Sequence, residues 1–219
     1  MHIAQDTFDF LRDLQENNNR EWFLAQRERY DAALADVKSF ITEMISELSA
    51  MDPLITTDIK ASKCLFRIYR DIRFSKDKTP YKTWFSAGIS LDGRKLQGPE
   101  YYFHLEPNKT ILGVGYWRPG KEHLDLIRQE IDYSAADLHE ALASGSFSAV
   151  DLSTEDKLKR PPTGYAEASE NIELLKLKSF ILYKSFTDKE MVAADALKSV
   201  LEGCQRMYPF KLFLQQAIS

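Results

Sequence analysis

Residues 84–117 read WFSAGISLDGRKLQGPEYYFHLEPNKTILGVGYW, and this stretch decides the fold. It holds three runs rich in aromatic and β-branched residues, Trp84–Leu91, Tyr101–Glu106 and Ile111–Trp117. Turn formers separate and follow them: Asp92-Gly93, Gly98-Pro99 and Pro107-Asn108. Links this short join antiparallel neighbours, because parallel strands need a crossover of about a dozen residues or more. The expectation is an antiparallel meander. Ser86, Gly88 and Ser90 share one face of their strand, and Gly113 and Gly115 one face of another. Such small residues admit close approach to the backbone by a packed helix or by a ligand, and the helix is preferred.

Working outward, Cys64–Asp71 alternates like a further strand. If it holds to Phe74, then Arg67, Tyr69, Asp71 and Arg73 share one face, while Phe66, Ile68, Arg70, Ile72 and Phe74 share the other. Before it the period is helical. Asp6 and Thr7 are N-cap types for a short helix reaching about Gln15, and Asn17-Asn18-Asn19 breaks it. Asn18 with Glu21 has capping-box character, and the apolar steps from Trp22 to Leu48 then define one long amphipathic helix ending before Pro53.

Downstream, Leu124, Ile127 and Ile131 mark one helix, and Leu138, Ala141 and Leu142 another after Ser134, stopped at Ser144-Gly145-Ser146. Leu152 to Tyr165, with Pro161-Pro162-Thr163-Gly164, reads as an ordered polar surface loop. Phe180–Phe186 alternates and joins the same sheet as a last strand. Thr187 with Glu190 opens a helix through Leu197, Val200, Leu201 and Cys204, and Pro209 starts a final helical piece. No repeat or Gly/Ser linker interrupts the chain. Residues 1–219 are therefore expected to form a single α+β domain. Its antiparallel sheet, of about five or six strands, packs against a long N-terminal helix and C-terminal helices.

Composition excludes several classes. The 44% hydrophobic and 28% charged residues lie in the ordinary globular range, so disorder and collagen-like structure are out. No signal-like N-terminus or 18-residue apolar run points to a membrane. Only two cysteines occur, Cys64 and Cys204, which fits buried reduced thiols and a cytoplasmic location. The net charge of −4 argues against nucleic acid as a partner.

Charge distribution says more than the total. Lys60, Lys63, Arg67, Arg70, Arg73, Lys76, Lys78 and Lys82 stand against only Asp71 and Asp77, a local excess of six positive charges. Guanidinium forks and ammonium groups gathered this way suit a phosphate or carboxylate. The candidate ligand-binding residues are Arg20, Glu21, Arg67, Arg70, Asp71, Arg73, Ser75, Lys76, Lys78, Tyr81 and Lys82. Asp71 or Glu21 would orient arginines or act as a base, and Tyr69 or Tyr81 would add a hydroxyl or a stacking face. Arg70, alone on an apolar face, is expected either to meet a carboxylate, for which Glu21 is one candidate, or to reach a cavity edge. The bland alternative is that these charges pair with acidic helices and pin a loop; exposed pairs of that kind contribute only ~0–1 kcal/mol each.

Two segments, Asn17-Asn18-Asn19-Arg20-Glu21-Trp22-Phe23 and Arg67 through Lys82, together resemble domain-of-unknown-function family 2461, found in bacteria and some fungi. Tyr101–Pro107 and Gly113–Pro119 are also similar to it. The resemblance covers most of the chain and implies a shared fold, with a site uniting the two long segments, for instance Arg20 and Lys78 in one cleft. It brings no substrate, cofactor or catalytic residue.

Other chemistry lacks support. His104 and Glu106 share a strand face, but histidines at 2, 104, 123 and 139 give no metal-binding spacing, so no metal and no cofactor is expected. Ser75 and Lys78 form Ser-x-x-Lys, yet Pro80 interrupts the helix that acyl-transfer chemistry would require. No nucleophile elbow, P-loop or dinucleotide fingerprint occurs. Two readings remain: a small-molecule site gripping an anion, with catalysis undecided, and a protein-interaction module docking an acidic partner.

Overall fold

Alternation of apolar and polar residues builds four strands in a computed structural model that describes residues 1–95 and 97–219. They are β1 (Phe85–Ile89), β2 (Glu100–Leu105), β3 (Thr110–Tyr116) and β4 (Phe180–Phe186). One antiparallel sheet holds them in the order β1-β2-β3-β4. The first three form the expected meander, and β4 returns from far along the chain to lie beside β3. A Cβ at Gly113 would stand 2.9 Å from the Tyr183 ring, and one at Gly115 2.0 Å from the Phe180 carbonyl oxygen. These glycines therefore make room for β4 and not for a helix. Gly115 also has φ +141°, a conformation that side chains disfavour.

Eight helices accompany the sheet among the described residues: α1 (Gln5–Glu16), α2 (Arg20–Ala25), α3 (Arg27–Ser49), α4 (Ala61–Cys64), α5 (Lys121–Ser144), α6 (Ile172–Leu175), α7 (Asp188–Val192) and α8 (Ala196–Ala217). Neither Asp6 nor Thr7 caps α1; its N-cap is Ala4, and the Ala4 N–H and Thr7 hydroxyl both donate to Asp36. The expected long helix is two, broken at Gln26 (φ −103°, ψ 21°) and capped at Asn19, whose side chain accepts from the Trp22 N–H at 2.9 Å. On either side of the break Phe23 stacks on Tyr81 at 4.0 Å and Tyr30 on Phe85 at 6.2 Å.

Residues 64–74 depart from the strand reading. Cys64 ends α4, and the chain beyond it pairs only at isolated bridges, Leu65 with Ala87 and Tyr69 with Tyr81. The Arg70 N–H donates to Pro80 O at 2.9 Å and the Lys82 N–H to Ile68 O at 2.8 Å, so the chain folds back on itself as a short hairpin. Pro80 has no N–H to extend that ladder, and Asp71 and Asp77 accept from loop backbone instead. The hairpin tip is accordingly free of the sheet, and Phe74, assigned to an apolar face, is 96% exposed.

In the second half, α5 contains a non-helical Ser134 (φ −143°, ψ 66°), where the two expected helices meet. The Thr187–Glu190 capping box opens α7 as read, but Ala193 (ψ 148°) interrupts the helix before α8. Pro209 lies inside α8, removing one donor without ending the helix. Within 152–165, Leu152 bridges to Leu182 and Lys157 to Leu177. The segment expected as a fifth strand, Cys64–Asp71, forms only isolated bridges, and the sheet has four strands where five or six were expected.

The chain comprises two compact units. The first joins Met1–Lys95, Tyr102–Leu112 and Ser185–Leu201. Its core sets α1 residues Phe8, Phe10, Leu11 and Leu14 with α3, whose Phe40 stacks on Phe103 at 5.4 Å. The second is built on Gly113–Lys184 and Glu202–Ser219 with the stretch through Tyr101. There Ile127, Ile131, Leu138 and Leu142 of α5 are buried, and buried Arg128 donates to the Leu175 and Leu177 carbonyls at 2.8 and 3.1 Å. Among the described residues no helix is long and apolar enough to cross a membrane.

Candidate functional site

An asparagine carboxamide presents one donor and one acceptor side by side, which matches the edge of a peptide. Asn18 uses both on Tyr81: its Nδ2 donates to the Tyr81 carbonyl at 2.9 Å and its Oδ1 accepts from the Tyr81 N–H at 3.1 Å. This clamp, with the Phe23–Tyr81 stack and Tyr69 at 6.2 Å from Phe23, joins the two long segments in the first unit. Burial, reinforced by Tyr69, raises the Tyr81 hydroxyl pKa, and the Arg20 charge opposes that rise. Arg20 is thus within electrostatic reach of Tyr81.

The loop spends its acids on itself. The Arg70 guanidinium reaches Asp77 and the Thr79 hydroxyl, so its carboxylate is Asp77 and not Glu21. Asp77, seven positions away across the hairpin, also accepts from the Thr79 N–H at 2.9 Å. That backbone bond first, and Arg70 second, hold Asp77 down at about 2. Asp71 accepts from Arg73 Nε and Nη2 at 3.0 and 2.7 Å, and these bonds keep its carboxyl below the ordinary range. Lys78 donates to the Ile72 carbonyl at 3.0 Å.

Of the residues read as ligand-binding, Arg70, Asp71, Arg73 and Lys78 are therefore engaged within the hairpin. Glu21 stays exposed on α2, and Ser75 is half-buried. Arg20, Arg67, Lys76 and Lys82 make no ion pair among the described residues. Lys82 is half-buried, with its Nζ 5.4 Å from the Phe66 ring centre. Burial first, and the charge of Arg67 second, push its pKa down. A like charge within reach disfavours the charged form of its neighbour.

The sequence reading missed the polar face of β2. Tyr102, His104 and Glu106 alternate with buried Tyr101, Phe103 and Leu105. Tyr102 Oη lies 3.2 Å from His104 Nδ1, and His104 Nε2 lies 3.1 Å from Glu106 Oε2. Trp84 stacks on the imidazole at 5.5 Å, and Phe66 meets Tyr102 edge-on at 6.4 Å. Burial depresses the His104 pKa; Glu106 opposes this, while Lys109 and Lys82 add to it. The signal in the sequence is three polar side chains at i, i+2 and i+4 alternating with Tyr101, Phe103 and Leu105. Taken without Tyr102, His104 and Glu106 read only as a metal pair.

A separate cleft of about 410 Å³ is lined by Lys60, Lys63, Asp92, Arg94 and neighbouring residues. Arg94 there donates to the Ser62, Lys63 and Leu65 carbonyls at 3.1–3.3 Å, closing the end of α4. In the second unit, buried Glu100 has an Oε2 with no hydrogen-bond partner among the described residues, and burial lifts its carboxyl to about 8.

A family model described as Conserved hypothetical protein (DUF2461) matches residues 6–213. No curated protein and no solved structure matches the chain.

Proposed function

The chain belongs to the DUF2461 family of conserved hypothetical proteins, and with no reaction attached to that family we propose from the geometry that it binds a small phosphate- or carboxylate-bearing ligand at Arg67 and Lys82, with Arg20 alongside. The observation that carries this reading is the mutual electrostatic opposition of Arg67 and Lys82, neither of which forms an ion pair among the described residues. An anion between them removes the repulsion and gains charge-assisted hydrogen bonds. Tyr69, which is 47% exposed, offers a ring against the Phe23–Tyr81 stack, two residues from Arg67. The two buried cysteines accord with a reducing, cytoplasmic setting.

Thermal unfolding with inorganic phosphate and a panel of phosphorylated and carboxylated metabolites tests it. A ligand at a hundredfold its Kd adds about 2.7 kcal/mol, which for a chain of this size raises Tm by roughly 5–10 °C. The shift should vanish in Arg67→Ala and in Lys82→Ala and persist in Lys63→Ala, whose side chain lines the separate cleft. A panel that moves Tm for none of its members removes the reading.

One observation favours docking of an acidic protein instead. Phe74 projects from the hairpin tip with 96% of its surface exposed, the Arg73 guanidinium 5.8 Å from its ring centre and Lys76 two residues further on. An apolar anchor in a basic segment suits a partner surface of opposite charge. Salt-sensitive co-purification lost in Phe74→Ala would favour this second reading, and retention of the same partner by the variant would dismiss it.

A further inference from the structure

We propose that Tyr102, His104 and Glu106 form an acid–base relay, with the Tyr102 phenol oxygen as the group that reacts with a ligand whose anionic end is held by Lys82 and Arg67. The ligand class rests on the anion-binding reading above; the relay itself does not.

The hydrogen-bond roles follow from chemistry. A carboxylate oxygen only accepts, so the 3.1 Å contact places the proton of neutral His104 on Nε2, donated to Glu106. Nδ1 is then an acceptor, and the phenol 3.2 Å away donates to it. The charged groups acting on this imidazole are Glu106, Lys109 and Lys82; burial, with the two lysines, outweighs the opposing pull of Glu106 and favours the neutral ring, whose Nδ1 lone pair can take a proton. Trp84, stacked on one face of the ring, fixes its plane. His104 and Glu106 side chains are each 15% exposed, which shields the relay from bulk water and strengthens each link.

The step balances without any further reagent. As Tyr102 oxygen takes a proton from a ligand O–H or activated C–H, its own proton passes to His104 Nδ1. The imidazolium so formed keeps its Nε2–H on Glu106, which offsets the new positive charge. The ligand carries the negative charge left behind, and Lys82 stabilises it. The substrate class is thus an anion bearing a weakly acidic proton. Tyr102 would be the catalytic residue, and His104 and Glu106 position and accept for it.

Tyrosine reactivity reads the relay without knowledge of the substrate. The full-length protein is treated with benzenesulfonyl fluoride, and each of the ten tyrosines is followed by peptide mass spectrometry. Sulfonylation forms a phenol O–S bond, breaks S–F, releases fluoride and sends the phenol proton to His104. Tyr133, 89% exposed, is the internal reference. Tyr102 should label at least tenfold faster than Tyr133, and the advantage should disappear in His104→Ala and shrink in Glu106→Gln. Circular dichroism checks the fold of each variant, and Glu106→Gln carries the test if His104→Ala does not fold. Labelling of Tyr102 no faster than Tyr133, or unchanged in whichever variant folds, overturns the relay. Slowing of Tyr102 alone by added phosphate supports the shared ligand. Fast labelling that phosphate leaves untouched keeps the relay and overturns its link to the anion site.

Discussion

Replacing Glu100 by glutamine should abolish a pH dependence of stability that this one carboxyl imposes. Glu100 is 5% exposed, its Oε2 has no hydrogen-bond partner among the described residues, and burial moves its pKa from 4.5 up to about 8. The native state therefore keeps the proton that the unfolded chain gives up. Between the two values the native state binds more protons, so stability falls as pH rises; it is fully present below about 4.5 and lost through about 8. Each pH unit inside that window costs about 1.4 kcal/mol, and between pH 5 and pH 8 the loss sums to about 3 kcal/mol. With a urea m-value of about 1–3 kcal/mol/M, the midpoint moves down by about 1 M or more. The assay is urea unfolding of wild type and Glu100→Gln at four pH values from 5 to 8. Glutamine brings a constant offset of about 1–3 kcal/mol for its own buried amide, so the slope of the difference decides the matter. A wild-type-minus-variant difference that stays level from pH 5 to pH 8 would refute the reasoning and show that water or a partner solvates the ionised carboxylate.

The Asn18 clamp and the Asp77 cage give two further tests. Asn18→Ala deprives the Tyr81 peptide of both its partners on a part-buried edge, which should cost about 1–3 kcal/mol in chemical denaturation. A loss under about 0.5 kcal/mol would mean that the Phe23–Tyr81 stack holds the two segments without it. For Asp77, a carboxyl NMR titration should find a midpoint near 2 in the wild type. Arg70→Ala should raise it only part of the way to 3.8, because the Thr79 N–H is the larger cause and survives the change. Recovery of the full ordinary value would assign the effect to Arg70 alone.

How much of this was legible in the sequence depended on the range of the interactions. The meander followed from turn residues between short runs, and β4 from strict alternation at 180–186, both local signals. Phe180–Phe186 could be assigned to the sheet, but the neighbour that demands Gly113 and Gly115 could not, because a Cβ clash with Tyr183 or Phe180 is a fact of tertiary register. The failure at 64–74 has a similar cause. Alternation there is real, but with Pro80 lacking an N–H and Asp71 and Asp77 taking up loop N–H groups its pairing stops at isolated bridges, and a strand exists only by continuous pairing. The basic segment was visible as composition, and the union of the two long segments was anticipated from resemblance. Which cations remain without an ion pair was not visible, since that depends on where two aspartates close their bonds. The Tyr102–His104–Glu106 chain was written in the alternation of β2, but only the distances turn three polar residues on one face into a sequence of donors and acceptors.

The charge count from Lys60 to Lys82 is what the proposed anion site rests on. Eight cations and two acids occupy Lys60 to Lys82, and both acids are consumed by Arg70 and Arg73. Those two pairs, with the Lys78 bond to the Ile72 carbonyl, shape the loop. Arg67 keeps only a through-space attraction to Asp71, it repels Lys82, and Lys82 in addition loses hydration beside Phe66. Stability alone would be better served by an acid at either position, or by an uncharged side chain in place of half-buried Lys82. If the proposed anion binds there, it would relieve that cost, and the energy withheld from folding would become differential affinity for whatever carries that charge.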